Sequence, residues 1–157
     1  LLIEALPKSI TKPDDLEARQ ACQLAALMSG VASINAMASV VHAIGHGVGG
    51  RYGLQHGISH ALLLPPAVRL LLPAVGADGG LVAAALGGVG DDPAEAAAGA
   101  IEALLDKLPL PRRLRDVGVA QDEIAELAAG TMDDYMMDYA PRPVTEPEIA
   151  ALLAAVW

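Results

Sequence analysis

The segment 14-DDLEARQACQLAALMSGVASINAMASVVHAIGH-46 decides the fold, because it places apolar side chains at helical spacing over many turns. Asp14 or Asp15 is positioned to cap the first turn, and Glu17 follows early in that turn. We therefore predict one long helix that runs to about His46.

A glycine-rich stretch and a second apolar helix follow this segment. Glycines stand at positions 45, 47, 49 and 50. Because glycine weakens a helix, we predict that they end the first helix and begin a loop that extends to about Gln55. A second helix is expected to begin near Gly57 and to end at Pro73.

The second half of the chain carries clear helix-start signals. In 91-DDPAEAAAGAIEALLDKL-108, Asp92 is an N-cap, Pro93 occupies the first helical position and Glu95 completes a capping box. The closing segment 145-TEPEIAALLAAVW-157 repeats this pattern. Between them we expect a short turn over 112–118 and a helix over 120–134.

The composition agrees with these helices. Hydrophobic residues make up 54% of the 157 residues, and aromatic residues only 3%. Much of the apolar content is alanine and leucine, which lose little entropy in a helix, whereas strands favour β-branched and aromatic side chains. No stretch alternates like a strand. We predict a single all-α domain over residues 1–157, with about six to eight helices.

Charge and cysteine content restrict the partners and the compartment. Ten basic and nineteen acidic residues give a net charge of −9, and no basic stripe offsets it, so we expect no nucleic-acid partner. The basic cluster 112-RRLR-115 is interpreted as a solvated helix face. The single cysteine, Cys22, cannot form an internal disulfide. We expect it to be a buried thiol in a cytoplasmic protein.

We expect no membrane span. The most apolar run, 61-ALLLPPAVRLLLPAV-75, is interrupted by three prolines and an arginine, so it is better interpreted as a buried core helix. The chain begins with LLIEAL rather than with Met, and these residues resemble the end of a helix. We therefore expect the chain to be a piece of something longer.

All four histidines lie within 42-HAIGHGVGGRYGLQHGISH-60. His42 and His46 are four residues apart, as are His56 and His60, so each pair shares one face of a helix. We expect the first pair to close one helix and the second pair to open the next. Imidazoles converging from two helices suit a divalent transition metal. The spacing alone leaves open which two or three of them bind.

The run from His42 to Pro65 resembles the signature of the iron-containing (group III) alcohol dehydrogenases. The resemblance continues through 27-LMSGVASINA-36, 109-PLPRRLRDVGV-119 and the C-terminal helix, and therefore covers essentially the whole chain. It implies the all-helical C-terminal domain of the dehydroquinate synthase-like fold. In that family an N-terminal Rossmann-like domain binds NAD(P), and this chain resembles none of it.

The resemblance also implies a site. Family members hold Fe²⁺, or in some cases Zn²⁺, with an aspartate and three histidines, and two of these histidines match His42 and His56. The other two ligands come from a D-x-x-x-H helix that would lie before Leu1 and is absent from this chain. His46 matches a residue near the nicotinamide, with a role in proton relay or substrate contact. Gly45 and Gly49 are expected near the cofactor or substrate.

Two positions depart from the family pattern. His60 stands where many members carry Asn, although some branches, such as the maleylacetate reductases, have His. Pro66 stands where family members commonly carry a histidine after the proline of the L-L-P motif. Both positions border the substrate side, so they affect substrate identity more than reaction type. A four-histidine metal site that uses His60 is an alternative, although His56 and His60 on one helix face would require a rearranged ligand shell.

The expected function is hydride transfer between a small alcohol or aldehyde and NAD(P), by a longer enzyme of which this chain is one part. Alone, the chain is expected to bind metal weakly and to be inactive. A glycerol dehydrogenase and a maleylacetate reductase are alternatives within the same fold, and a homodimer is possible. The alternative from another class is a non-catalytic helical module for metal binding or dimerisation. It is favoured by the absence of a nucleotide-binding glycine fingerprint, because the glycine runs 47–50 and 87–90 do not follow a strand.

Two further clusters near the C-terminus have simple interpretations. The methionines and tyrosines of 132–139 are expected to pack near a helix end. The acidic residues Asp133, Asp134 and Asp138 are expected to form a solvated face.

Overall fold

The computed structural model describes residues 1–157 and consists of eight α-helices with no β-strand, which confirms the all-α prediction. The helices are α1 Leu2–Thr11, α2 Leu16–Ala36, α3 Val40–Tyr52, α4 His56–Leu71, α5 Asp78–Ala85, α6 Pro93–Leu105, α7 Ile124–Thr131 and α8 Glu146–Ala155. Short 3-10 turns occupy Leu72–Val75, Leu114–Val117, Gln121–Glu123 and Tyr135–Tyr139.

The prediction of one helix over 14–46 is wrong, because the chain breaks between α2 and α3. The two helices meet at 109°, and Met37 between them has a φ of 62°. No glycine or proline marks this break in the sequence. The bend turns Val40, Ile44 and Val48 into the core, where they are fully buried. The burial of these side chains offsets the cost of a left-handed φ at Met37, which is roughly 1–3 kcal/mol.

The glycines at positions 45, 47, 49 and 50 also do not end a helix as predicted. They lie inside α3, which ends at Gly53, a left-handed residue with a φ of 64°. Burial of the side of α3 that carries Ile44 and Val48 outweighs the poor helix propensity of these glycines. The connection to α4 is only three residues long, and it brings the first turn of α4 beside α3.

The predicted caps agree largely with the structure. The side chain of Asp15 accepts a hydrogen bond from the Ala18 amide, and Asp92 caps α6 through the Ala94 and Glu95 amides. Glu95 does not complete a capping box. Its carboxylate pairs instead with Arg69 of α4 at 2.9 Å, because that cation lies within reach across the α4–α6 contact.

Arg69 also binds Glu102 of α6, at 2.6 Å. The α4–α6 contact is therefore held in part by an arginine that lies between two carboxylates. A separate contact, between α5 and α6, depends on Gly88. A Cβ added there would lie 2.5 Å from the Ala96 carbonyl oxygen, so only glycine fits.

The hydrophobic core joins α3 and α4 to α7 and α8. Its fully buried side chains include Leu63 of α4, Leu153 of α8 and Leu114. Leu114 lies within the basic cluster 112–115, whose three arginines are exposed. Cys22 is half-buried rather than buried, because α2 packs mainly against the short helix α1.

The remaining apolar face of α2 is exposed. Its side chains Leu24, Leu27, Met28, Val31 and Ile34 are between 48% and 80% exposed. An exposed apolar strip of this length is unusual for an isolated domain and is typical of surfaces that contact another protein or domain.

Contrary to the sequence expectation, α4 with its following turn, His56–Val75, is long and apolar enough to cross a membrane by length and composition alone. The bent pair α2–α3 would supply a second candidate. One or two such helices are a weak indication, since core helices pass the same criteria. α4 packs against α3, α6 and α8 and buries Leu62, Leu63 and Ala67. We therefore interpret it as a core helix.

The start of α8 gives a pH-dependent prediction. Glu148 accepts hydrogen bonds from Arg142 and from the Thr145 amide and hydroxyl, and these partners lower its pKa from 4.5 to about 2. A carboxyl whose pKa is lower in the folded protein contributes stability above its unfolded pKa and loses it as the pH falls. This contribution is therefore complete above about pH 4.5 and disappears as the pH falls to about 2.

Glu148→Gln keeps the capping box but removes the charge. We expect the variant to be less stable than the parent chain at pH 7, and the difference to narrow as the pH falls from 4.5 to 2. Urea unfolding, followed by circular dichroism at each pH, measures the free energy of unfolding of the variant and of the parent chain. Glu146→Gln, in the same first turn, is the control. A constant stability difference across this pH range would contradict the prediction.

Candidate metal and proton-transfer site

The histidines lie where α3 and α4 pack against each other. His42 is in the first turn of α3, His56 is the first residue of α4, and His60 is one turn further along α4. The first pair therefore opens α3 and does not close a helix as predicted, because the chain breaks before Val40. The second pair opens α4, as predicted.

His42, His56 and His60 form one cluster, and one ring nitrogen from each lies within 4.8 Å of the other two. The ring centroids of His42 and His60 are 4.3 Å apart, and those of His56 and His60 are 3.8 Å apart. The centroids of His42 and His56, the pair singled out by the resemblance, are 5.3 Å apart. His60 therefore lies between the two predicted ligands, and the structure brings all three imidazoles together.

The ring of His60 is held in one orientation. Its Nδ1 lies 2.8 Å from the carbonyl oxygen of His56, so this nitrogen carries the proton and donates it to the carbonyl. The lone pair is then on Nε2, which is buried and has no hydrogen-bond partner. A buried polar atom without a partner is costly unless something binds it.

The surroundings of His60 keep it neutral. Burial lowers its pKa to about 4, although the hydrogen bond to the His56 carbonyl acts in the opposite direction. His60 is the one ionisable side chain that lines an apolar groove of about 580 Å³ between α1, α2, α4 and α6. Burial also lowers the pKa of His42, and the charges of His56 and His46 add to this effect. At neutral pH both rings therefore offer lone pairs, as metal ligation requires.

Gly45 leaves the space that the His60 ring occupies. A Cβ added to Gly45 would lie 2.6 Å from Cε1 of His60 and 3.1 Å from its Nδ1. Gly49 does not contact a histidine, and its nearest neighbour is the Leu54 carbonyl oxygen. The two glycines predicted near substrate or cofactor thus differ, because Gly45 faces the cluster and Gly49 faces the turn into α4.

His46 lies outside the cluster and interacts with an aspartate instead. Its ring centroid is 6.3 Å from that of His42, and its side chain is 42% exposed. The Nδ1 of His46 is 2.8 Å from a carboxylate oxygen of Asp134. The other oxygen of Asp134 accepts a hydrogen bond from the Met136 amide, which fixes the carboxylate at the start of a 3-10 turn.

Asp134, which contacts His46, is a residue of the candidate site that the sequence did not predict. It was expected on a solvated face, but its side chain is only 17% exposed. Burial by itself raises the pKa of Asp134. Hydrogen bonds from His46 and the Met136 amide, together with the charges of His46 and His42, outweigh this effect, so the pKa lies below its ordinary value of 3.8. The two partners are 88 residues apart, so no local pattern indicates the pair.

The prediction that the neighbouring methionines and tyrosines pack near a helix end is confirmed only in part. Met137 is partly buried against the main core, whereas Tyr135 and Tyr139 are exposed. The C-terminal end of α3 is fixed separately, by Arg51 and Tyr52, which both bind Glu123 just before α7. These contacts hold α3, and with it His42 and His46, against the second half of the chain.

An all-helical domain with an imidazole cluster between two inner helices is the architecture that these observations define. The family model described as the Fe-containing alcohol dehydrogenase family, C-terminal, matches residues 1–157. The chain therefore belongs to the iron-containing alcohol dehydrogenase family and corresponds to its C-terminal domain.

Individual relatives agree with this assignment. The chain is 33% identical over 157 residues to a 1,3-propanediol dehydrogenase of Klebsiella pneumoniae. This match covers 97% of the chain and 41% of the relative. It is similar to the crystal structure of a 1,3-propanediol oxidoreductase, with 30% identity and a TM-score of 0.89. It is also similar to an alcohol dehydrogenase from Oenococcus oeni, with 27% identity and a TM-score of 0.92.

A maleylacetate reductase from Agrobacterium tumefaciens has the same fold, with 25% identity and a TM-score of 0.81. Each of these three solved structures matches 99% of this chain, but the match covers only 42% of the solved chain. The chain therefore spans about two fifths of the length of the relatives that it matches.

Proposed function

We propose that this chain is the metal-binding domain of an NAD(P)-dependent oxidoreductase that interconverts a small alcohol and its aldehyde or ketone. The observation that carries the proposal is the cluster of three imidazoles in a chain of the iron-containing alcohol dehydrogenase family. Residues 1–157 form the helical domain in this proposal, and a domain outside this sequence supplies most of the NAD(P) site.

The donor set fits a divalent transition metal. Neutral imidazoles suit Fe²⁺ and Zn²⁺, and the partnerless Nε2 of His60 adds an unused lone pair beside His42 and His56. We propose Fe²⁺, with Zn²⁺ as the alternative, bound by His42 and His56. The bound ion would supply Lewis-acid polarisation of the substrate oxygen.

Residues of this chain then accept and return the proton. Oxidation of an alcohol removes a hydride, which passes to NAD(P)⁺, and a hydroxyl proton, which needs an acceptor. We assign this acceptor role to His46, which is exposed and lies beside the cluster. Asp134 accepts the Nδ1 hydrogen bond and leaves Nε2 of His46 available for the proton. In the reductive direction His46 returns the proton.

The experiment compares the 157-residue chain with the protein translated from the natural start upstream of Leu1. Each is loaded with Fe²⁺ or Zn²⁺, and NAD(P)H oxidation is followed with short aldehydes, dihydroxyacetone and maleylacetate. We expect turnover by the longer protein and none by the shorter chain. Turnover by the 157-residue chain at ordinary rates, or none by a metal-loaded longer protein with any substrate, would contradict the proposal.

The exposed apolar face of α2 favours a second candidate, a helical module that dimerises. The same two proteins distinguish the candidates, because a dimerisation module would sediment as a dimer and would show no NAD(P)H oxidation in either length. A cytoplasmic location, with Cys22 reduced, is part of either proposal.

A further inference from the structure

We propose that His60 is a metal ligand, so that His42, His56 and His60 form a three-imidazole site within this chain alone. This inference rests on the proposed metal-binding function and goes beyond it, because it replaces the expectation of a half-site that holds metal weakly. A site of this kind takes a borderline divalent ion such as Zn²⁺, Co²⁺ or Fe²⁺ through ring nitrogens.

The positions of the three imidazoles suit a common ion. The three ligand nitrogens lie within 4.8 Å of one another. Around a tetrahedral ion with bonds of about 2.1 Å, two ligand nitrogens are about 3.4 Å apart. Side-chain movements on the order of 1 Å therefore close the site. His56 and His60 share the first turns of α4, so no rearrangement of the helices is required.

The hydrogen bonding of His60 is that of a metal-bound imidazole. Metal-bound imidazoles characteristically donate their other ring N–H to a carbonyl or carboxylate, which fixes the tautomer and the ring orientation. His60 already has this arrangement, with Nδ1 donating to the His56 carbonyl at 2.8 Å. Its Nε2 is buried without a partner. A metal ion in the cluster would satisfy that atom.

Gly45 gives the His60 ring the space it needs to lie in the cluster. A side chain at position 45 would meet three atoms of the His60 ring, at 2.6, 3.1 and 3.3 Å. Gly47, two residues along the same helix, has nothing within 4 Å of the corresponding position. Glycine at 45 is therefore required for the observed position of the His60 ring, and glycine at 47 is not.

The test measures Co²⁺ and Zn²⁺ binding by the purified 157-residue chain, using the visible absorption of Co²⁺ and titration calorimetry with Zn²⁺. His60→Asn is expected to lower the affinity for both ions by at least about 10-fold to 100-fold. Removing only a hydrogen-bond partner of a ligand already causes a loss of this size. His46→Asn is the matched control, and it is expected to leave affinity unchanged.

A second pair of variants acts on the ring without removing it. Gly45→Ala is expected to displace the His60 ring and weaken Co²⁺ binding, whereas Gly47→Ala is expected to leave it unchanged. Both changes favour the helix, and circular dichroism verifies that each variant is folded.

The outcomes separate the two proposals. If His60→Asn and Gly45→Ala bind as tightly as the parent chain while His42→Ala and His56→Ala do not, the role of His60 is overturned and the proposed ligand pair stands. If the parent chain binds neither ion, or if every histidine variant binds equally, the three-imidazole site fails. The proposed metal role is tested separately by the metal content of the longer protein, and it fails if that protein also holds no metal.

Discussion

Replacing His42 with alanine is expected to abolish tight metal binding and to lower turnover of the longer enzyme by at least about 10³-fold. His42 is the cluster's one contribution from α3, and the other two imidazoles both come from α4. Without it, the proposed ion would lose the ligand that joins the two helices. Loss of a Lewis acid removes several kcal/mol of transition-state stabilisation, and each 1.36 kcal/mol is a factor of ten in rate.

The fold should survive this change. His42 is half-buried, and the core side chains beside it, Val40 and Ile44, remain in place. We expect far-UV circular dichroism to match the parent chain, while metal content measured by mass spectrometry falls to background. Asn35→Ala is the control for turnover, because Asn35 is exposed on α2 and bonds only to its own helix. Full metal content in His42→Ala would contradict the assigned ligand.

The parts of the fold that depend on neighbouring residues were predictable from the sequence. The caps Asp15, Asp92 and Thr145 act within three residues of the groups they bind, so composition and spacing suffice to locate them. The break at Met37 was not predictable in this way. It exists because α3 must turn into the core, and the side chains that it meets there come from distant parts of the chain.

The candidate site divides in the same way. The four-residue spacing correctly predicts that each histidine pair shares a helix face, and the resemblance singles out His42 and His56. Spacing does not reveal that α3 and α4 cross where His60 meets His42, because that contact depends on Gly45 and on a three-residue connection. Asp134 reaches His46 from a 3-10 turn 88 residues away, and only the packed structure brings them together.

The second large effect concerns this His46–Asp134 pair. Replacing His46 with glutamine in the longer enzyme is expected to lower kcat by about 10²-fold to 10⁴-fold, the usual contribution of a positioned acid–base group. Asp134→Asn is expected to lower kcat by roughly 10-fold to 100-fold. Replacing a buried aspartate behind a catalytic histidine lowers kcat by about 10⁴-fold. We expect a smaller loss here because His46 is substantially exposed, so solvent replaces part of the lost interaction.

The design separates proton transfer from folding and from metal binding. Asparagine at position 134 still accepts the Met136 amide hydrogen bond, since Asn and Asp are both good caps, so the turn is retained. Metal content and KM should stay near parental values in both variants while kcat falls. Asp133→Asn, an exposed neighbour, is the matched control, with parental kcat expected.

A double-mutant cycle decides whether the two residues act together. If Asp134 acts by orienting His46, the double variant should be no slower than His46→Gln alone, because the carboxylate has nothing left to orient. Losses that multiply would mean that Asp134 acts independently of His46. Parental kcat in His46→Gln would remove the proton-transfer role altogether and leave His42 as the one residue of α3 with a proposed function.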